Sequence, residues 1–585
     1  MPVSRLERLL FRPTGGPLIA HLVLLIASGY WHYKVNATVP EPYLDEVFHV
    51  RQAQAYWRGQ WRIWDPKITT PPGLYIISYL HLYLLQIQGR LSNITFGLRS
   101  INFIAANVLI LVLVRGLLWK IRHARVSGSA AGQRRSKQLL QWSEYEIDHV
   151  ALNICLFPPL FFFYALYYTD VLSVGFVLLA YHLFLNRQTA GLMVAGLSSL
   201  LFRQTNIFWV ALFLGGLEVT RSIERGDESR PAWTDIMRAN GTSVRYYDPL
   251  VSEAYFEDYL KSASSITLCT LINLRTVVQS LIPHLTFLAA FSAFILWNNG
   301  VVLGDKANHI ASLHLTQMLY FWTYILFFSS PLLYHYFLTL IVPPRILSKP
   351  LRSPYPSTKH ALPRLAIALP ITTAMLATVH FNTLIHPFTL ADNRHYVFYV
   401  FRLLLRHASI KYLAIPIYLL SAHASITALS SPPTPPPPQE GGAPKATAKP
   451  ETKQPPSSAR ETPTQGNRAS FVLIWLATTA LALCTAPLVE PRYFILPWLI
   501  WRLHLPPSLP PRPRTSLDRP GRKSATRKSR TLRARIKAVL YTEHDHGLWL
   551  ETAWFVAVNA VTGYVFLYWG FRWEQEEGRV QRFMW

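Results

Sequence analysis

Two adjacent carboxylates, Asp45 and Glu46, stand out in the polar and aromatic stretch PYLDEVFHVRQAQAYWRGQWRIWDPKITTPPGLY at residues 42–75. The stretch follows the first long apolar run, and an acid beside a membrane segment is costly unless it has a role. A carboxylate there could accept the proton of an attacking hydroxyl group and act as a general base. Neighbouring helix residues point in different directions, so only one of the pair can face a reacting centre. The alternative role for Asp45 is to cap the helix that begins after Pro42.

Aromatic and imidazole side chains close to the acid pair could bind a sugar. His49 lies four residues after Asp45 and would share its helix face. Trp64 follows Trp57 and Trp61, and these rings could stack on sugar rings or form an aromatic belt at the membrane surface. We therefore take His49 and Trp64 as candidates for substrate binding, with the belt as the alternative for Trp64.

Further polar motifs interrupt the apolar runs later in the chain. They are YYTD at 167–170, FRQTN at 202–206, GDKANH at 304–309, HPFTLADNRHY at 386–396 and EPRY at 490–493. A phosphate could be held there, because guanidinium and ammonium groups bind phosphate oxygens through charge-assisted hydrogen bonds. The candidates for this role are Arg203, Lys306, Arg394, His395 and Arg492.

The same loops carry acidic and uncharged side chains that could contact the hydroxyl groups of a substrate. These candidates are Asp170, Asn206, His309, Asp392 and Asn393. Asp170 could instead cap a helix, and Asp392 and Asn393 could instead order their loop. The Asp and His residues of GDKANH lack the spacing of metal ligands, so we predict no metal site and no cofactor.

Signatures of soluble nucleotide-dependent enzymes are missing from the sequence. It has no glycine-rich nucleotide loop, no Walker A motif and no nucleophile elbow. A donor linked to a lipid phosphate therefore fits better than a donor linked to a nucleotide. Three scattered cysteines indicate neither a disulfide framework nor a zinc site.

The elements that must position these motifs are membrane helices. The chain has 585 residues, of which 51% are hydrophobic, and a mean hydropathy of +0.19. Many apolar runs approach the roughly 20 residues that a bilayer-spanning helix needs. We predict an all-α polytopic membrane protein with about 12 transmembrane helices. This count treats 74–88 as a juxtamembrane helix and divides 396–429 into an interfacial helix and one span.

The net charge of +26 comes largely from basic loops and does not indicate a nucleic-acid partner. Alternating the spans from a cytosolic N-terminus places the basic loops 120–147, 343–364 and 505–548 on the cytosolic side, as the positive-inside rule requires. The polar motifs, including 42–54, then fall together on the opposite face. We therefore expect one site on the exterior or lumenal face of the membrane.

The predicted organisation has three parts. They are a transmembrane core at 1–504, a basic cytosolic loop at 505–548, and a last transmembrane helix with a C-terminal tail at 549–585. Within the core we expect a first lumenal loop at 34–96 and variable cytosolic loops at 120–147, 220–275 and 343–364. The proline-rich segment 431–468 has low complexity and is expected to be disordered.

Long motifs of this chain resemble those of one enzyme family. The stretch 42–75 is similar to the first lumenal loop of the dolichyl-phosphate-glucose-dependent α-1,2-glucosyltransferases of N-glycan precursor assembly. FRQTNIFWV, GDKANH, HPFTLADNRHYVFYVFR and EPRYFILP match further motifs, in the family's order. The resemblance covers residues 17–504, and 121–137, 225–262 and 431–468 look like insertions or variable loops.

The resemblance implies a C-type glycosyltransferase fold in the endoplasmic reticulum membrane, with juxtamembrane helices in the first loop and a lumenal active site. It implies dolichyl phosphate glucose as the donor and a lipid-linked oligosaccharide with two glucoses as the acceptor. The implied reaction adds the terminal α-1,2-linked glucose with inversion. Asp45 best matches the family's catalytic base, and Glu46 is the second choice.

Two other functions remain open from the sequence. One is transfer of a different sugar from another lipid phosphosugar, because residue types do not reveal the identity of a sugar. The other is a transporter or a regulator of a channel, because charges within a membrane can line a pathway. The polar motifs lie at one predicted face and not at the midplane, which favours the enzyme.

Overall fold

The computed structural model of this chain is built almost entirely from helices. It describes residues 15–89, 93–124, 146–228, 246–306, 312–341, 362–430, 466–486, 488–506, 546–574 and 578–585. Most of the predicted basic and proline-rich loops and the candidate His309 lie outside the described residues.

The first part of the chain forms the first loop and the helices that surround it. Its helices are α1 Gly15–Thr38, α2 Glu46–Trp57, α3 Gly73–Ile87, α4 Ile94–Ile104, α5 Leu111–Ala124, α6 Glu146–Cys155, α7 Pro158–Phe162, α8 Asp170–Leu185, α9 Thr189–Leu200 and α10 Leu214–Glu228. A π-helical turn at Ala105–Ile110 joins α4 to α5, and another at Phe208–Phe213 precedes α10. The second turn lies just after the FRQTN motif. Turns of this kind often occur beside functional sites.

The second part of the chain adds longer helices and a short hairpin. Its helices are α11 Phe256–Ile272, α12 Leu274–Asn298, α13 Thr316–Ile341, α14 Leu365–Phe381, α15 Pro387–Ala391, α16 Tyr396–Leu404, α17 Ile410–Leu413, α18 Ile415–Thr427, α19 Ala469–Cys484, α20 Ile495–His504 and α21 His546–Tyr568. Strands β1 Phe571–Arg572 and β2 Val580–Gln581 pair antiparallel after α21. The expectation of an all-α chain therefore misses this hairpin, whose strands are too short to leave an alternating pattern in the sequence.

Several of these helices are suited to a membrane. Ile94–Arg122, Leu274–Asn298 and His546–Tyr568 are each long and apolar enough to cross a bilayer. The pair Glu146–Cys155 and Pro158–Ala165 forms a fourth candidate, bent by 59°. Other apolar helices are shorter, and the 12 residues of α9 extend only about 18 Å. The chain is a helical multi-pass membrane protein, and several apolar runs form shorter helices than a full span requires.

Aromatic side chains fill the centre of the helical core. Phe157 stacks on Trp498 with ring centroids 3.7 Å apart. The Trp498 indole nitrogen donates a hydrogen bond to Ser329 at 2.9 Å, and Trp501 donates to the Ser425 carbonyl at 2.9 Å. Each of these buried indoles thus combines a large apolar contact with a partner for its N–H group.

A buried ion pair joins α20 to α21 away from the polar loops. Arg502 donates two hydrogen bonds to the Glu551 carboxylate, at 2.8 and 2.6 Å, and both side chains are buried. Asn153 donates a further hydrogen bond to Glu551 at 2.9 Å. Because two desolvated charges are tolerated only when they remain paired, the integrity of this end of the bundle depends on both partners.

We expect Arg502→Met to destabilise the protein, because the substitution leaves the Glu551 carboxylate charged and unpaired in the core. Broken buried pairs cost about 3–5 kcal/mol. The double variant Arg502→Met/Glu551→Gln should recover most of that loss, because no charge then stays buried. The measurement is the melting temperature of the purified protein in detergent. Equal melting temperatures for the single and double variants would contradict this role of the pair.

Candidate active site

The first loop is fastened to the helices by a buried ion pair between Glu46 and Arg99. The Glu46 oxygens lie 2.9 and 2.6 Å from Nε and Nη2 of Arg99, and neither side chain is exposed. Arg99 also donates to the carbonyls of Val39 and Glu41, at 2.7 and 3.1 Å. The backbone N–H of Tyr167 donates to Glu46 at 2.6 Å. Glu46 thus connects the loop, α4 and the segment before α8.

Asp45 faces the other way from this ion pair. The preceding residue, Leu44, has φ +51°, in the left-handed region that non-glycine residues enter only at a cost of roughly 1 kcal/mol or more. Asp45 occupies the N-cap position of α2, but its side chain makes no capping hydrogen bond. Its side chain is 48% exposed. The capping alternative is therefore absent from the structure, and the carboxylate is open to a ligand.

Asp45 lines a cavity of about 920 Å³ between the loops and the helix ends. Residues of all six polar segments that were predicted to share one face contribute to its wall. Its charged and aromatic members include Asp45, His49, Tyr168, Asp170, Arg203, Asp305, Asp392, Arg394, His395, Glu490, Arg492 and Tyr493. The fold thus brings distant parts of the chain together around one space of a size typical of ligand sites.

Arg492 is the centre of the charge network in this cavity. Its Nε atom donates to Glu490, and both terminal nitrogens lie 3.4 Å from Oδ2 of Asp45. A third carboxylate, that of Asp170, lies 4.0 Å away. Burial alone would lower the pKa of Arg492, but Glu490, Asp170 and Asp45 raise it well above the usual value. Despite burial, Arg492 also lowers the pKa of Glu490. Both groups are therefore charged at neutral pH.

Asp170 offers the cavity an acceptor atom that has no hydrogen-bond partner among the described residues. It begins α8, is 2% exposed, and lies with Oδ1 3.1 Å from Nη1 of Arg203. Among the described residues, its buried Oδ2 has no hydrogen-bond partner. The Arg203 guanidinium packs over the Tyr493 ring, 5.3 Å from the ring centroid. Since buried polar atoms normally have partners, Oδ2 is suited to a ligand hydroxyl group.

Arg394 and His395 reach the cavity from the loop between α15 and α16. Arg394 donates two hydrogen bonds of 2.8 Å to the Asp392 carboxylate, and His395 lies 3.8 Å from the same carboxylate. Burial raises the pKa of Asp392, but the hydrogen bonds of Arg394 and the nearby His395 lower it by more. The ionised Asp392 therefore offsets part of the Arg394 charge.

Residues 571–574 and 578–585 close one side of the cavity, a feature that is not predicted from the sequence. Trp573, Met584 and Trp585 line the wall. The Tyr43 hydroxyl donates to the Arg582 carbonyl at 2.6 Å and accepts from the Arg582 N–H at 2.7 Å. Burial raises the pKa of Tyr43 to about 12, so this hydroxyl remains a donor at neutral pH. The one signal in the sequence is the presence of tryptophans after the last apolar run.

Five predicted site residues lie outside the cavity wall, namely Glu46, Trp64, Asn206, Lys306 and Asn393. Both oxygens of Glu46 bond to Arg99, so this carboxylate is not available to a ligand. The indole of Trp64 donates to the carbonyl of Ile68 at 3.3 Å, so it braces its own loop. Because Trp64 does not line the cavity, the structure does not bring this ring to a ligand bound there.

Of the other three residues, Asn206 and Lys306 support neighbouring backbone. Asn206 is buried and bonds to the Ser173 hydroxyl and to the Ser199 carbonyl, which fixes the FRQTN turn between helices. Lys306 donates to the carbonyl of Asn298 at the end of α12. Asn393 lies beside the cavity residues Asp392 and Arg394 but is not itself part of the wall. The orientation of Asn206 follows from tertiary packing, which spacing in the sequence does not reveal.

His49 lines the cavity from α2, one helical turn after Asp45. Its Nδ1 atom lies 2.6 Å from the Tyr75 hydroxyl. Burial lowers the pKa of His49, and the opposing effect of Asp45 is smaller. The imidazole is therefore neutral at pH 7 and can accept or donate a hydrogen bond without adding charge to the site.

The geometry defines a class of protein. Within the described parts of the chain, no group of three His, Cys, Asp or Glu side chains is arranged to hold a metal ion. What the cavity offers is an open carboxylate beside fixed guanidinium groups, at one end of a bundle of apolar helices. This combination is typical of a membrane enzyme that works on a phosphorylated substrate.

Comparison with known proteins gives the family. The model of the DIE2/ALG10 family matches residues 39–503, so the chain belongs to this family and the resemblance drawn from the motifs is confirmed. A relative from Aspergillus fumigatus is 43% identical over 96% of this chain and 97% of its own. Relatives from Pyricularia oryzae and Arabidopsis thaliana are 36% and 29% identical, over 96% and 94% of this chain and 92% and 96% of their own. All three are named Dol-P-Glc:Glc(2)Man(9)GlcNAc(2)-PP-Dol alpha-1,2-glucosyltransferase. No solved structure matches the chain.

We expect the burial of neutral His49 to make stability depend on pH. Because the folded-state pKa lies below that of the unfolded chain, the unfolded state binds more protons below about pH 6.5, and acid lowers the free energy of unfolding. His49→Gln removes this contribution. The melting temperature should therefore fall less between pH 7.5 and 5.5 in the variant than in the wild-type protein. Identical falls would contradict the assignment.

Proposed function

We propose that this protein transfers glucose from dolichyl phosphate glucose to the Glc(2)Man(9)GlcNAc(2) oligosaccharide carried on dolichyl diphosphate. The product carries the terminal glucose in α-1,2 linkage. The relatives reported above are named for this reaction, and they align with this chain over nearly their full length. The cavity supports the same conclusion through its chemistry.

The observation that carries the proposal is the position of Asp45. Its side chain is 48% exposed in a cavity whose neighbouring carboxylates, Asp170 and Glu490, are paired with arginines. The contacts from Arg492 reach only Oδ2 of Asp45. The other oxygen makes no hydrogen bond to the described residues, so it is suited to accept a proton from a hydroxyl group.

The mechanism is a single displacement. Asp45 accepts the proton of the acceptor's 2-hydroxyl group, and the hydroxyl oxygen bonds to the anomeric carbon of the donor glucose. The bond from that carbon to the phosphate oxygen breaks, and its electron pair leaves with dolichyl phosphate. Attack from the face opposite the leaving group converts a β-linked donor into an α-linked product. The phosphate leaves as a stable anion, so no general acid is needed.

Fixed cations of the cavity stabilise the charge that develops on the leaving phosphate. Arg492 and Arg203 are held in place by carboxylates and by the Tyr493 ring, so little reorganisation is needed during the reaction. Arg394 supplies further positive charge from a second wall, where His395 lies beside it. The unpartnered oxygen of Asp170 accepts a sugar hydroxyl group and orients the glucose.

We further propose a C-type glycosyltransferase fold with its site facing the lumen of the endoplasmic reticulum. The loop after α1 contacts the segment after α21 through Tyr43 and Arg582, so both helices end on the same face. A chain whose α1 starts on the opposite face must then cross the membrane an odd number of times. The proposed number of crossings is therefore odd, whereas the expected value of about 12 is even.

We expect Asp45→Asn to lower kcat by about 10²–10⁴-fold, because an amide cannot accept the proton. The assay uses purified protein, dolichyl phosphate glucose and the two-glucose acceptor. Asp65→Asn is the matched control in the same loop. Its carboxylate accepts a backbone hydrogen bond from Lys67, which an amide oxygen can also do, so activity should persist. Turnover of Asp45→Asn within about twofold of wild type would refute the base assignment.

A further inference from the structure

Residues 571–574 and 578–585 form a small, well-anchored unit. Strands β1 and β2 pair with Phe571 opposite Gln581 and Arg572 opposite Val580. The Arg582 guanidinium donates to the last carbonyls of α21, those of Phe566 and Leu567, at 2.9 and 2.6 Å. These contacts fix the segment, hereafter the tail hairpin, against the end of α21.

The tail hairpin bridges two walls of the cavity that come from distant parts of the chain. On one side, Arg582 contacts Tyr43, two residues before Asp45. On the other side, Met584 pairs with the loop of Arg394 and His395. The Met584 N–H donates to the Arg394 carbonyl at 2.9 Å, and the Met584 carbonyl accepts from the N–H of Tyr396 at 3.2 Å. The hairpin therefore sets the distance between Asp45 and the Arg394 loop.

The side chains of the tail hairpin also hold the Arg394 guanidinium itself. Gln581 accepts a hydrogen bond from Nη1 at 3.0 Å. The ring of Trp573 lies 4.5 Å from the guanidinium carbon and covers its face. Together with the two hydrogen bonds to Asp392, these contacts fix the group on three sides. A long side chain with many rotamers is thereby held in one orientation at the cavity wall.

We propose that the tail hairpin is part of the donor site, with Gln581 and Trp573 as positioning residues that hold Arg394 against the donor phosphate. This inference rests on the proposed function, since it assigns the phosphate of the donor to that wall. It adds a role for residues outside the stretch 39–503 that the family model matches. Gln581 is buried and touches the substrate only through Arg394.

The first test replaces Gln581 by leucine, which has a similar volume but accepts no hydrogen bond. Hydrogen bonds to charged groups are strong, so the donor KM should rise roughly tenfold, with kcat within about twofold of wild type. Gln581→Glu should restore the KM, because a carboxylate still accepts from Arg394. Arg579→Gln, an exposed neighbour of β2, is the matched control and should change neither constant. An unchanged donor KM in Gln581→Leu overturns the proposal.

The second test needs no turnover. Trp573→Cys places a thiol on the cavity wall, while the native Cys155, Cys269 and Cys484 are buried and give a low background. Dolichyl phosphate should slow maleimide labelling of this thiol. Arg572→Cys, exposed on the adjacent strand position, should label equally fast with and without the lipid.

The two tests separate this inference from the proposed function. Equal labelling of Trp573→Cys with and without dolichyl phosphate contradicts the tail hairpin as part of the donor site, even if wild-type protein transfers glucose. Absence of glucose transfer by the wild-type protein contradicts the proposed function. In that case, protection of Trp573→Cys would still show that the hairpin faces a site for a lipid phosphate.

Discussion

The buried pair of Glu46 and Arg99 is the interaction on which the site depends. Two desolvated charges are costly, and they persist here because every oxygen of Glu46 is bonded and Arg99 also gathers carbonyls of the first loop. This ties the loop to α4 and to the segment before α8. Only with that side fixed does the left-handed turn at Leu44 direct Asp45 into the cavity. Glu46, the buried acid, thus positions the first loop, and Asp45, the exposed acid, remains available to a substrate.

Carboxylates of the cavity are also paired with arginines, as Glu46 is with Arg99. Its acids Asp170, Asp392 and Glu490 are each placed against an arginine, so that the wall carries charge in fixed pairs. Such pairs hold the guanidinium groups still and ionised, which suits them to meet a phosphate without rearrangement. Asp45 shares Arg492 at a longer distance of 3.4 Å and is more exposed than these acids. The difference between paired and open carboxylates separates the proposed base from its neighbours.

Much of this arrangement can be predicted from residue types and charge alternation. Placing the basic loops on one side groups Asp45, Arg203, Arg394 and Arg492 on the other, and the structure gathers these residues in one cavity. The role of Glu46 cannot be predicted, because its partner Arg99 lies inside an apolar run and meets it only in the folded bundle. The orientation of Asn206 likewise depends on contacts with other helices. Lys306 and Trp64 bond to nearby backbone carbonyls, which residue types do not reveal. The tail hairpin is missed because two-residue strands have no periodicity, and because Gln581 and Arg582 contact Arg394 and Tyr43 over separations of 187 and 539 residues.

The most direct test of the account is the structure of the product formed by the purified protein. Dolichyl phosphate glucose labelled with ¹³C at the anomeric carbon is incubated with the two-glucose acceptor, and the new linkage is read by NMR. A single-displacement site with Asp45 as base predicts one new glucose, α-linked to the 2-hydroxyl group of the terminal glucose. A β-linked product, or transfer to another hydroxyl group, would contradict the account.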